Sequence, residues 1–304
     1  MLTAVSGQVA LAIALAILTA FLYALSNVLQ FIEAEQVPDE YSLRLGLIAR
    51  LARRPRWLLG SAVDVLGYVA LAAALSLAAV VFVMPIIASG ILIALFLGAV
   101  LTHQSVPRSD WLAAAALSVG LAAFLYEVAP MGGRDLAPAG RWIVAGPAVV
   151  IGIGACIVCA HGVRGRARGA LLGIGAGIAF GVAAVFTKAF VHYLQDGIFA
   201  WVDHWEPYAL AVASIGGLVI AQSALQTGAL GAAVGASEAM IPITAAALGL
   251  GLLDERIETV GAGWVIVAIA VGAVVWAILV LARGEELLLD AASASPALAL
   301  EPEG

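Results

Sequence analysis

Residues Leu75 to Trp111 read LSLAAVVFVMPIIASGILIALFLGAVLTHQSVPRSDW, and this stretch sets the design from which we interpret the chain. Its long apolar run is broken by Pro85 and ends in a short polar link, after which another apolar run begins. Residues Leu225 to Gly261, 150 positions later, repeat this design with Pro242 as the break. Membrane transporters use repeated spans with broken helices to place a site near the middle of the bilayer. The shared pattern therefore predicts two related halves around a site within the membrane.

The composition identifies an integral membrane protein. Hydrophobic residues make up 63% of the chain, charged residues only 11%, and the mean hydropathy is +1.09. Soluble globular domains carry about 25% charged residues. Backbone groups in lipid must be satisfied within the protein, so the apolar runs must be helices or closed barrel strands. Runs of about 20 residues without alternating polarity favour helices.

The apolar runs predict an all-α polytopic bundle of about nine transmembrane helices, built from two halves of inverted topology. The predicted spans are residues 7–31, 57–76, 79–101, 111–128, 141–160, 169–190, 207–226, 231–252 and 260–282.

The basic residues predict the orientation of the bundle, because cytoplasmic loops are enriched in arginine and lysine. Ten lie on one side: Arg44, Arg50, Arg53, Arg54, Arg56, Arg108, Arg164, Arg166, Arg168 and Arg283. Three lie on the other side: Arg134, Arg141 and Arg256. We therefore expect a cell-membrane protein with its N-terminus outside and its C-terminus in the cytoplasm.

The predicted organisation has five parts. A short extracytoplasmic N-terminus precedes the first transmembrane half, a linker with the fifth span joins it to the second half, and a tail follows. Asp290 onward is rich in Ala, Ser, Pro and Glu, a composition that cannot bury enough apolar area to fold, so we expect a disordered cytoplasmic tail. The ranges are 1–6, 7–128, 129–168, 169–282 and 283–304.

An arginine-rich connector, residues 33–56, follows the first span. Leu43, Leu47 and Leu51 lie at helical spacing in it, with arginines on the other faces. This pattern indicates either an amphipathic connector that anchors the bundle or a helix along the cytoplasmic leaflet. In the second case anionic head groups would contribute about 1 kcal/mol per arginine near the surface. The arginines concerned are Arg50, Arg53, Arg54 and Arg56.

Three ionisable residues inside predicted spans are the first candidates for a substrate or ion site. Each costs from about 2.5 kcal/mol upward in hydrocarbon and needs a partner, water or a function. Glu238 lies four residues before Pro242, which frees the carbonyl of residue 238 and suggests a proton or cation site. Asp64 could serve as a cytoplasmic-side relay or pair with a nearby arginine. Lys188 could reach acidic residues in the outer loop.

Uncharged polar residues within the spans form a second group of candidates. Asn27 and Gln30 share a helix face, while Thr187 and Gln222 lie in later spans. These side chains could contact a polar solute, or they could join helices at about 0.6 kcal/mol each.

Glycines recur every fourth residue at Gly173, Gly177 and Gly181. Such a stripe either lets another helix approach closely or lines a translocation path.

Other functional classes receive little support from the sequence. Cys156, Cys159 and His161 resemble a metal motif, but a structural zinc site needs four ligands and the chain has no further cysteine. No hydrolase, metalloprotease or phosphate-loop motif is present, so we expect neither an enzyme nor a cofactor. No basic, aromatic-rich patch suggests nucleic acid. The sequence leaves open whether the protein forms a homodimer.

Several segments resemble the drug/metabolite transporter (DMT) superfamily, in particular its EamA-like actinobacterial members and the related NIPA-type magnesium transporters. The resemblance covers about residues 7–282. The segments are FLYALSNVLQ (21–30), RPRWLLGSAVDVLGYVALAAAL (54–75), LFLGAVL (95–101), FGVAAVFTKA (180–189) and SALQTGALGAAVGASEAMIPITAAALGLGLLDE (223–255).

The resemblance implies alternating access by two inverted halves around a central cavity, coupled to a proton or substrate gradient. Typical members have ten helices, whereas nine are predicted here, as in the NIPA branch. The first hypothesis is a secondary transporter of a small polar metabolite or drug-like solute. A magnesium or other divalent cation transporter using Asp64 and Glu238 is the alternative, and a non-transporting membrane scaffold is the third.

Overall fold

The computed structural model describes residues 2–77, 83, 86–87, 89–103, 105–127, 134, 136–254 and 263–283, and every regular element in these ranges is helical. A single-turn 3-10 helix, Asp39–Tyr41, lies between the first two helices. The α-helices are α1 (Leu2–Ala34), α2 (Leu45–Leu51), α3 (Pro55–Leu77), α4 (Gly90–Thr102), α5 (Arg108–Glu127), α6 (Ala139–His161), α7 (Gly165–Asp196), α8 (Glu206–Leu225), α9 (Leu230–Leu252) and α10 (Gly263–Arg283).

Seven helices in the described ranges are long and apolar enough to cross a membrane, which supports a multi-pass membrane protein. They are the Ala10–Ala34 part of α1 together with α5, α6, α7, α8, α9 and α10. The predicted count of nine is not confirmed. The other two predicted spans correspond to α3 and to the region of α4, a shorter apolar helix of 13 residues.

Some predicted features lie outside the described residues. Pro85, the proline break of the first repeated stretch, is one of them. Arg256 and residues 284–304 of the predicted tail are the others. The second proline break, Pro242, lies within α9, and that helix continues past it to Leu252.

The arginine-rich connector folds back onto the bundle. Leu47 and Leu51 in α2 are fully buried and pack into the same core as Phe31 of α1. The backbone N–H of Leu43 donates to the Ser223 hydroxyl of α8 at 2.8 Å. Since two of the three spaced leucines are covered by protein, the connector anchors the bundle in the way the first interpretation expected.

The helices pack in a definite order. Helix α1 packs along α3 and also contacts α4, while α7 packs along both α8 and α9. Helix α5 packs against α10. Helix α6 rests mainly on α7 and exposes most of its apolar side chains, including Ile143 and Val144. The bundle core therefore lies between α1, α7 and α9.

A glycine seam joins α7 to α9. Gly173 and Gly177 lie against the backbone of Ala233 and Ser237, and Gly181 lies against Thr244. A Cβ atom added at Gly177 would approach the Ser237 carbonyl oxygen to 2.5 Å. The glycine stripe noted in the sequence thus packs against a neighbouring helix, which agrees with the packing interpretation.

Aromatic side chains fill the end of the bundle where α7 leads into α8. The rings of Trp142 and Phe186 stack at 4.6 Å, and Trp205 meets Phe186 edge-on at 5.5 Å. Tyr193 and His204 stack at 3.9 Å. Such aromatic groups are typical of the membrane–water interface.

We predict that Gly177→Ala destabilises the bundle, because the new methyl group would overlap the α9 backbone and force the seam apart. Overpacking of this kind costs about 1–3 kcal/mol. The matched control is Gly154→Ala in α6, where an added Cβ meets nothing within 4 Å. Thermal unfolding of the detergent-purified protein measures both changes. Equal unfolding temperatures for the two variants would contradict the close approach of α7 and α9.

Candidate functional site

The two acidic side chains singled out in the sequence come together in the structure. Asp64 of α3 and Glu238 of α9 interact electrostatically, although they are 174 residues apart in the chain (238 minus 64). Both also interact with the Tyr23 hydroxyl of α1. Three helices therefore bring two carboxylates and one phenol to the same region of the bundle.

The two carboxylates are accessible in the described part of the bundle. Asp64 and Glu238 are exposed side chains, and Tyr23 is half-buried. Glu238 and Tyr23 lie on α9 and α1, which are long and apolar enough to cross a membrane, and α3, which carries Asp64, packs along α1.

The two carboxylates have no basic partner among the described residues. The salt bridges there do not include Asp64 or Glu238, and Arg54, one of the partners considered for Asp64, pairs with Glu33 at 2.9 Å. Asp64 instead lies near the Ser26 side chain of α1. The site is therefore negatively charged when both groups are ionised.

A chain of hydrogen bonds leads away from Asp64. The Gln30 amide nitrogen donates to the Ser26 hydroxyl at 2.9 Å, and the Gln222 amide nitrogen donates to Gln30. The Trp57 indole N–H then donates to the Gln222 amide oxygen at 3.0 Å. Ser26 and Gln222 are buried, with exposed fractions of 0% and 2%. We call Ser26, Gln30, Gln222 and Trp57 the polar chain; it connects α1, α3 and α8.

The remaining sequence candidates lie apart from the two carboxylates or make no contact with them. Asn27 is half-buried on α1, and its side chain forms no hydrogen bond to the described residues. Thr187 donates to the carbonyl of Ala183 in its own helix at 2.8 Å. Lys188 is half-buried on α7, and the salt bridges of the described part do not join it to Asp64 or Glu238.

The metal-like motif in α6 does not form a cluster. Within the described ranges, no group of three or more His, Cys, Asp or Glu side chains could hold a metal ion. The His161 Nδ1 atom lies 2.7 Å from the Ile157 carbonyl of its own helix. Cys156 packs near Gly175 of α7 instead.

The sequence analysis did not identify Trp57 or Asp110 as functional residues. Trp57 lies at the start of a predicted span, and its indole N–H needs a partner when buried. Asp110 lies in the polar link that follows the first repeated stretch, yet it is 4% exposed and bonds Arg166 at 2.7 Å. The signal for Asp110 was its place at the start of α5, where a carboxylate suits the helix N-terminus.

The Asp110–Arg166 ion pair borders a cavity of about 130 Å³ at the arginine-rich end. We use this name for the end of the bundle that carries residues 33–56, Arg108 and residues 164–168. The cavity is also lined by Phe31, Thr102 and Leu230. It lies beyond the polar chain from the two carboxylates, since Phe31 follows Gln30 along α1.

Comparison with known proteins gives one full-length relative. An uncharacterized protein of Corynebacterium glutamicum is 26% identical over 277 residues, which cover 90% of this chain and 95% of the relative. No family model matches the chain, and no solved structure matches it. The description of this relative states no function.

We predict that Arg166→Gln is strongly destabilising, because it leaves the buried Asp110 carboxylate without its cation. Breaking a buried ion pair in this way costs about 3–5 kcal/mol. Arg168→Gln is the matched control: its partner Asp39 is 70% exposed, and exposed pairs contribute at most about 1 kcal/mol. Denaturant or thermal unfolding of purified protein measures the difference. Equal losses in the two variants would show that the Asp110 pair is not buried in the folded protein.

Proposed function

We propose that this protein is a secondary transporter that moves a small polar metabolite or drug-like solute by alternating access. One observation carries the proposal: Asp64 and Glu238 lie within electrostatic range of each other on two helices of an apolar bundle, both exposed and without a basic partner among the described residues. Unpaired carboxylates are costly in a membrane interior and usually belong to substrate or ion pathways. A protein that needed only a stable bundle would gain nothing from keeping both.

The packing order supports two halves of related construction. Helix α1 packs along α3 as α7 packs along α8, and α1 contacts α4 as α7 contacts α9. The last helices of the two sets, α5 and α10, pack against each other, as symmetry-related helices do near a two-fold axis. We infer that α1–α5 and α7–α10 are the halves, and that α6 is the additional span. This order is the basis for proposing a drug/metabolite-type transporter with EamA-like or NIPA-like relatives.

The residues around the two carboxylates then have proposed roles. Glu238 is the proton or cation site, and Asp64 is the relay nearer the arginine-rich end, which we place in the cytoplasm of a cell-membrane protein. Tyr23 provides the wall of the site. Asn27 remains a candidate solute contact because its amide is half-buried on the α1 face near Tyr23. Lys188 also stays a candidate contact, whereas the Thr187 hydroxyl bonds its own helix.

The test begins with a ligand screen on the detergent-purified protein. Metabolites, drugs and divalent cations are added one at a time, and a ligand that binds the folded state raises the unfolding temperature by mass action. A ligand that stabilises the protein is then used in gradient-driven uptake or efflux by proteoliposomes.

We predict that Glu238→Gln lowers gradient-driven transport at least tenfold while the protein stays folded, because the amide cannot exchange a proton or hold a cation. Thr187→Val is the matched control, since it removes a polar group that bonds only within its own helix. Transport is measured as initial uptake with and without the imposed gradient. Unchanged transport in Glu238→Gln would remove this residue from the mechanism.

A divalent cation such as Mg²⁺ is the second candidate substrate, and the meeting of Asp64 with Glu238 favours it. Mg²⁺ in proteins usually keeps several waters and takes one or two carboxylates, so two groups suffice. Magnesium-dependent growth and metal flux in a strain carrying the protein distinguish this candidate. If magnesium depletion changes neither, the metabolite or drug-like solute remains as the proposed substrate.

The arginine-rich connector is the proposed contact for anionic lipid head groups. Arg50 and Arg53 are exposed, and together with Arg54 and Tyr41 they line an open surface cleft of about 530 Å³. Under the scaffold hypothesis this surface would be the functional one. In that case neutralising the arginines would abolish the phenotype, whereas isosteric replacement of Asp64, Lys188 and Glu238 would leave it intact.

A further inference from the structure

Buried side chains separate the two carboxylates from the arginine-rich end. Val28 and Phe31 of α1 are 0% and 2% exposed, and Val234 of α9, one turn from Glu238, is 6% exposed. These side chains belong to the largest cluster of buried apolar residues in the described chain, which also includes Trp57. The bundle is therefore closed between the carboxylates and this end.

Gln222 lies at the centre of the seal. Its amide nitrogen donates to Gln30 of α1, and its amide oxygen accepts the indole N–H of Trp57 of α3. One side chain of α8 thus holds two helices that belong to the other proposed half. Because an amide has a donor on one side and an acceptor on the other, both bonds require one orientation of Gln222.

Further bonds at the same end also join segments before residue 128 to segments after residue 164. The Gln226 amide nitrogen donates to the Val37 carbonyl at 3.1 Å, and Arg168 pairs with Asp39 at 3.3 Å. The Asp110–Arg166 pair is the third such link. Opening this end requires all of these bonds to break or exchange partners, so the polar chain sits within a closure that spans both proposed halves.

We propose that Gln222, together with Gln30 and Trp57, is the gate that closes the arginine-rich end, with the Ser26 hydroxyl orienting Gln30. The proposal rests on the transport function proposed above. It assigns to three uncharged side chains a role that differs from solute contact: they hold the closed conformation, and this end opens only when their bonds break.

The test is thiol accessibility, which needs no knowledge of the substrate. The two native cysteines are removed as Cys156→Ala and Cys159→Ala, and Val234→Cys supplies one reporter behind the gate. The rate of labelling by a membrane-impermeant maleimide that is applied only to the arginine-rich side is measured on protein in proteoliposomes, with the polar chain intact. The same rate is measured in Gln222→Leu, Trp57→Phe and Ser26→Ala, and folding is checked by thermal unfolding and size-exclusion chromatography.

We predict that Gln222→Leu accelerates labelling at least tenfold and that Trp57→Phe, which removes the N–H donor together with part of the indole ring, accelerates it at least threefold. Ser26→Ala accelerates it in the same direction. The matched control Thr19→Val stays within twofold, because Thr19 is equally buried on α1 but bonds only the Leu15 carbonyl of its own helix.

Unchanged labelling in folded Gln222→Leu overturns the gate. If Gln222→Leu does not fold, Trp57→Phe decides the question, and an unchanged rate there overturns the gate in the same way. An unchanged rate in Ser26→Ala overturns the role of the Ser26 hydroxyl in orienting Gln30. These outcomes are separate from the transport assay, since a gate can be established or lost whatever Glu238→Gln does to uptake.

Discussion

The direct contact of the α7 glycines with the α9 backbone is the constraint on which the candidate site depends. Gly177 lies against the carbonyl of Ser237, so that face of α9 is fixed toward α7. The next residue, Glu238, is turned about 100° around the helix and must point elsewhere. It points toward α1 and α3, where Tyr23 and Asp64 lie. The contact of the α7 glycines with α9 thus determines the direction in which Glu238 points, a residue whose burial in a membrane is costly.

The sequence predicts the parts of this arrangement that follow from hydropathy and from the free-energy cost of placing ionisable residues in a membrane. Long apolar runs predict helices because lipid leaves the backbone no other partner. Asp64 and Glu238 could be chosen as candidates because few ionisable groups occur within the runs. Their meeting could not be predicted, since it depends on how α3 and α9 pack around α1. The same limit applies to Asp110 and Arg166, 56 residues apart, which single-sequence spacing does not connect.

The uncharged polar residues that the sequence groups together make different contacts in the structure. Gln30 and Gln222 were grouped in the sequence with Asn27 and Thr187 as polar contacts or interhelical links. In the structure the two glutamines bond each other, whereas Thr187 bonds its own helix. Hydroxyl groups in helices can satisfy themselves on the carbonyl four residues earlier, while the longer amide side chains reach across to another helix. The length of the side chain therefore separated the connecting residues from the self-satisfied ones.

The two ends of the bundle are held by interactions of different kinds, and this difference bears on how each end can open. At the arginine-rich end, Gln222 and its neighbours use directional hydrogen bonds, which require defined partners and are lost over a few tenths of an ångström. At the end where α7 leads into α8, stacked rings such as Trp142 and Phe186 dominate, and such contacts tolerate sliding. A change of one hydrogen-bond partner at Ser26 can therefore be transmitted along the polar chain, whereas no equivalent chain in the described part of the protein leads from Ser26 to the aromatic end. Control of access would accordingly act first on the arginine-rich end.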